Sequence, residues 1–136
     1  MGNPDPGPLP LGGPGSAGVG TGVHTLTNRA VVARYFEMWN TGDTSAVEEI
    51  VGPDWVDEAH PEIRGPDGVR RAVERVRAAR PERRFEIEAI LGADDLVAVV
   101  GTAVAGTAGG AVPLVWLVRL TDGRMTGMRT YRGNPA

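Results

Sequence analysis

The chain has no cysteine, which excludes disulfides, thiol catalysis and thiolate metal sites. It has no lysine either, since all fourteen basic residues are arginine, and a Schiff-base mechanism is excluded with it. Its only serines are Ser16 and Ser45, one in a Gly/Pro-rich segment and one beside a helix start, so a Ser-His-Asp hydrolase is ruled out. The two histidines, His24 and His60, are too few for a histidine-based metal centre, and no metal is expected. No apolar run approaches a membrane span, and the basic start and unbroken apolar core of a signal peptide are missing. A cytoplasmic protein with no membrane partner is expected. The net charge of −3 gives no electrostatic case for nucleic acid.

What is present fits one domain with an appendage. The first 23 of the 136 residues hold eight glycines and five prolines and show no apolar periodicity. We read 1–26 as a disordered tail and 27–133 as the folded domain. Gly13-Pro14-Gly15-Ser16-Ala17-Gly18 matches a dinucleotide fingerprint in letters only. It has no strand before it and no helix opening within it.

From Asn28 onward, Val31, Val32, Tyr35, Phe36 and Trp39 recur at helical spacing and predict a helix with one apolar face. Asn40-Thr41-Gly42-Asp43 breaks it. Asp43, Thr44 or Ser45 is expected to cap a short second helix, Ser45 and Glu48 having capping-box spacing. Pro53-Asp54 is expected to end that helix, with a strand over 55–58. Strand alternation then puts Trp55, Asp57 and Ala59 on one face, and Val56, Glu58 and His60 on the other. Val69, Ala72, Val73, Val76 and Ala79 stripe a third helix from Pro66 or Asp67 to Ala79. Its arginines read as a solvated face, with Arg70–Glu74 as an i, i+4 pair.

Beyond Arg84 the period becomes that of strands. Phe85, Ile87 and Ala89 alternate with Glu86 and Glu88, and Asp94-Asp95 turns the chain into a strand from Leu96 to Thr107. Ala108-Gly109-Gly110 turns it back into Ala111–Leu120, and Thr121-Asp122-Gly123 leads to a last strand over Arg124–Arg132. Helices followed by an antiparallel meander describe an α+β fold.

The order of these elements resembles the nuclear transport factor 2-like superfamily, and within it the SnoaL-like polyketide cyclases and ketosteroid isomerases. Three stretches carry the resemblance: VVARYFEMWNTGD, GPDWVDEAHPEIRGPDGVRRAVERVRAARPERRFEIEAI and VRLTDGRMTGMRTYRG. It implies a cone-shaped α+β barrel, with three N-terminal helices packed on a curved, mainly antiparallel sheet. It places Tyr35 where ketosteroid isomerases carry the tyrosine that stabilises a dienolate oxygen. Ala59 falls at the position of their general-base aspartate, and Trp116 at that of their second, protonated aspartate, so steroid isomerisation is not expected. Asp57 fits the Asp/Asn of the SnoaL-like Phe-Val-Asp/Asn-His pattern, with Glu58 in place of that histidine. Met128 stands where many SnoaL-like sequences have a polar residue or histidine.

The expected site is an enclosed apolar cavity with few polar groups. Asp57 is its acid/base. Tyr35 and the Trp116 indole are its hydrogen-bond donors. Trp39, Trp55, Ala59, Met128 and Thr130 complete the substrate-binding wall, and Gly101, Ala103 and Ala105 leave room. The resemblance implies a cofactor-free cyclase or isomerase acting on a hydrophobic polyketide- or terpenoid-like small molecule. A homodimer is expected through the opposite sheet face, which presents Val115 and Leu117. The alternatives are a non-catalytic ligand-binding or dimerisation module, and an epoxide hydrolase-like enzyme, whose Asp-Arg-Asp set has no counterpart among the inward positions.

Overall fold

The computed structural model describes residues 27–106 and 110–133. The tail expected over 1–26, and Thr107, Ala108 and Gly109 of the expected strand end and turn, lie outside the described residues.

Helix α1 spans Asn28–Thr41 and buries Val31, Val32, Tyr35, Phe36 and Met38. Thr27 caps its start, its hydroxyl accepting the Ala30 N–H at 3.1 Å. Gly42 ends it in the left-handed conformation (φ 82°), its N–H donating to the Met38 carbonyl at 2.8 Å. The second helix, α2, is only Val47–Ile50, and Ala46 precedes it with no side-chain cap. The expected capping box does not form. Instead, the Asp43 carboxylate accepts the Ser45 N–H at 3.0 Å and closes the turn between the helices.

Strand β1 is Val51–Asp57, longer than expected and already under way at Pro53. Proline fits there because β1 lies at the sheet edge, where a missing ladder donor is tolerated. Helix α3, Gly65–Ala79, carries Pro66 in its first turn and buries Val69, Ala72 and Val73. Arg70 does not pair with Glu74. It donates to Asp67 at 2.6 Å and to Glu48 at 2.9 Å, tying α3 to α2.

Strands β2 (Arg84–Ala93), β3 (Leu96–Val104), β4 (Ala111–Thr121) and β5 (Arg124–Arg132) follow in chain order. The sheet order is β1-β5-β4-β3-β2, antiparallel throughout except for β1 against β5. It is a five-stranded mixed sheet, open rather than closed on itself, with the helices on its concave side: the α+β cone. A bulge between Ile87 and Ala89 shifts the register of β2, so Phe85, Ile87 and Ile90, not Ala89, pack on the core. Gly101 sits under that bulge, where a Cβ would come within 2.5 Å of the Glu86 carbonyl oxygen. The space expected above Gly101 is thus filled by β2 backbone. No helix among the described residues is long and apolar enough to cross a membrane.

Candidate active site

Helix α1 and strands β1, β4 and β5 are among the elements that converge on one cavity of about 230 Å³. Helix α1 presents Tyr35, Phe36 and Trp39 at one-turn spacing, and β4 and β5 present Leu114, Trp116, Met128 and Thr130. The end of β1 supplies Asp57. The pairing explains the convergence. Asp57 is in register with Met128, Met128 with Val118, and Trp116 with Thr130, so Asp57 and the β4–β5 wall occupy adjacent rows of one sheet face. Tyr35, Asp57, Trp116 and Met128 are buried and form the floor, while Ala59, His60, Glu62, Arg75 and Arg83 are exposed and form the rim.

A side-chain tether holds the aromatic wall in place. The Asn40 amide donates to the Phe85 carbonyl at 2.9 Å and accepts the Phe85 N–H at 2.8 Å. Both orphan groups at the start of β2 are thereby satisfied by the end of α1. Phe85 packs edge-on against Phe36, Trp39 and Trp116, with centroids 5.6, 6.4 and 5.5 Å away. Asn40, read from sequence only as part of a helix break, thus fixes one side of the cavity.

Asp57 is the one buried acidic or basic side chain among the described residues, at 5% exposure. Desolvation is the main effect on it and raises its pKa. The Ala59 N–H, donating to Oδ1 at 3.0 Å, and the nearby His60 oppose that rise, and Glu62 adds to it. Tyr35 is pushed far above its ordinary range, first by burial and then by the charge of Asp57, with Trp39 offsetting part of the shift. Its hydroxyl therefore remains a proton-bearing donor at any working pH.

Seven of the eight expected site residues line this cavity: Asp57, Tyr35, Trp39, Ala59, Trp116, Met128 and Thr130. Trp55 does not. It is buried behind Tyr35, with ring centroids 5.6 Å apart, and belongs to the core. Ala103 lines the cavity as expected, whereas Ala105 is exposed beyond the end of β3. Strand alternation puts His60 on the face opposite Asp57, yet it lines the same cavity. The strand ends at Asp57 and a turn follows, so alternation no longer governs where His60 points. Its Nδ1 lies 3.8 Å from Glu62. Among the described residues no three His, Asp or Glu side chains converge as metal donors.

Helices folded over the concave face of an open mixed sheet, enclosing an aromatic cavity with one buried carboxylate, define a cone-shaped cavity protein. The chain belongs to the SnoaL-like domain family, within the nuclear transport factor 2-like superfamily: the family match spans residues 32–128. No curated protein matches it in sequence. Among solved structures it is similar to a SnoaL-like polyketide cyclase from Agrobacterium tumefaciens, at 13% identity and TM-score 0.66, covering 79% of this chain and 92% of that one. A loop-truncation variant of IdmH gives 22% identity and TM-score 0.63, covering 77% and 91%. An uncharacterized cystatin-fold protein from Novosphingobium aromaticivorans gives 15% and 0.68, covering 79% and 99%. At these identities the likeness is one of fold.

Proposed function

We propose that the chain is a SnoaL-like enzyme that moves a proton on a hydrophobic small molecule held in this cavity, driving isomerisation or ring closure. The observation that carries the reading is the buried Asp57 carboxylate on the floor of an aromatic cavity, beside the buried Tyr35. As carboxylate, Asp57 takes a proton from a carbon next to a carbonyl. The Tyr35 O–H donates to the oxygen on which enolate charge develops, with the Trp116 indole as a second donor. The Asp57 carboxylic acid so formed returns the proton to a different carbon, or to the oxygen released when a new ring bond closes. Each step conserves protons between Asp57 and substrate, so the chemistry asks for no external oxidant or reductant. Family membership and the polyketide-cyclase description of the Agrobacterium neighbour support this reading.

Asp57→Asn keeps the shape and the acceptor for Ala59 while removing proton transfer. Turnover should fall by about 10²–10⁴, the usual worth of a positioned acid/base. Ligand affinity should change much less. Wild-type turnover in Asp57→Asn would refute the assignment.

A non-catalytic binding module of the same fold is the second reading. It is favoured by the single floor carboxylate, Ala59 and Trp116 standing where ketosteroid isomerases have acids. Mass spectrometry of small molecules carried by the purified protein, followed by a test for their conversion, separates the two. We further propose that the chain pairs with a second copy through the outer sheet face, where Val100, Val115 and Tyr131 are cross-strand neighbours and Leu117 adjoins them.

A further inference from the structure

The cavity's rim is unlike its floor. Three arginines line it, Arg75 and Arg77 from α3 and Arg83 from the segment leading into β2. Arg77 is committed: its guanidinium donates to the backbone carbonyls of Arg83 and Pro81 at 2.5 and 2.6 Å. Those two bonds fix the 81–83 segment against α3 and so hold Arg83 at the cavity edge. Arg75 and Arg83, like several other exposed arginines, have no ion-pair partner or side-chain hydrogen bond among the described residues, and these two alone of that group line the cavity. Of the acids on the rim, Glu62 leans toward His60 instead.

Two uncommitted guanidinium groups beside an aromatic cavity are a recognition element for a planar anion. The depth of the cavity limits what the anion is attached to. An apolar cavity of about 150 Å³ takes one benzene ring, so the 230 Å³ here encloses a body of about two fused rings. Glu62 on the same rim penalises a second negative charge. Resting on the cavity reading above, we propose that the ligand is a hydrophobic carboxylic acid, its one- or two-ring apolar body between Trp39, Phe85 and Trp116 and its carboxylate on Arg75 and Arg83. The arginines then orient the ligand, fixing which carbon faces Asp57. They are positioning groups; the proton transfer stays with Asp57.

The test compares 2-naphthoate, 2-naphthamide and 2-naphthyl phosphate at neutral pH on the full chain. The first two are close in shape and differ in charge. Binding is read from the indole N–H resonances in ¹H–¹⁵N spectra. The chain has only three tryptophans, two of which line the cavity while Trp55 in the core serves as an internal reference. Naphthoate should shift Trp39 and Trp116 and bind roughly tenfold more tightly than the amide, the worth of about one charge-assisted contact. Its affinity should fall with added salt, the amide's should not. Arg83→Gln and Arg75→Gln should each erase most of the preference while leaving amide binding in place. Equal affinity for acid and amide, or a preference surviving both substitutions, overturns the carboxylate assignment and leaves the cavity reading standing. Tighter binding of the phosphate overturns the monoanion assignment. If no probe moves Trp39 or Trp116, the cavity reading itself fails.

Discussion

Asp57 sits in an environment that penalises its own charge. Burial lifts its folded-state pKa above the unfolded value of 3.8. Between those two values the folded protein binds more protons than the unfolded chain, so stability falls as pH rises through that window. Below it the carboxyl is neutral in both states and the penalty vanishes. Asp57→Asn should therefore gain thermal stability relative to wild type as pH rises from below 3.8 through the folded pKa, and hold a constant advantage beyond it. Melting of the two proteins over a pH series checks this; a difference that does not vary with pH would contradict it. Asp57 and Tyr35 were legible because a carboxylate in an apolar-patterned strand and a tyrosine on a helix stripe both announce an interior position. His60 was not. Its assignment extended strand alternation past the residue where the strand stops, and a turn leaves no sequence period to read. Trp55 shared the face predicted for it, but a shared face does not tell the floor of a cavity from the core behind it. Its indole N–H has no partner among the described residues.

At the scale of elements, boundaries were harder to read than identities. The helical stripe of α1 and the alternation of β3 and β4 survive because periodicity sums over many side chains. Single punctuating residues mislead more easily: Pro53 lies within β1, where only its edge location makes it acceptable. The β2 bulge was invisible because Glu88 reads as an ordinary outward residue. Gly101 is its mark in the partner strand, since only a residue without Cβ lets the Glu86 carbonyl approach. The contact between α1 and β2 is where one side chain joins two elements. Asn40→Ala leaves both the N–H and the C=O of half-buried Phe85 without their partner. It should cost about 1–3 kcal/mol of unfolding free energy and loosen the Phe85 wall. Chemical denaturation measures the loss, and a cost below about 0.5 kcal/mol would show that water replaces Asn40 freely.

For the whole molecule, the two faces of the sheet differ in character. Its concave face carries the cavity. Its outer face sets Ala98, Val100, Val115, Leu117 and Tyr131 in adjoining rows, with Val115 and Tyr131 exposed. An apolar strip of that kind on a small protein is a surface to be covered. Light scattering should give twice the chain mass at roughly ten micromolar and above, a range in which a moderately stable dimer stays associated. Val115→Glu, which puts like charges across a two-fold interface, should give a monomer; a monomeric wild type would refute the pairing. The fold keeps one carboxylate in an aromatic cavity, and the proposed chemistry has it exchange a proton with the ligand. The ¹³C NMR titration of the Asp57 carboxyl group, assigned by its absence in Asp57→Asn, tests it without any knowledge of the substrate. A midpoint clearly above the ordinary aspartate value of about 3.9 is the predicted result, and a midpoint at or below that value would contradict the account.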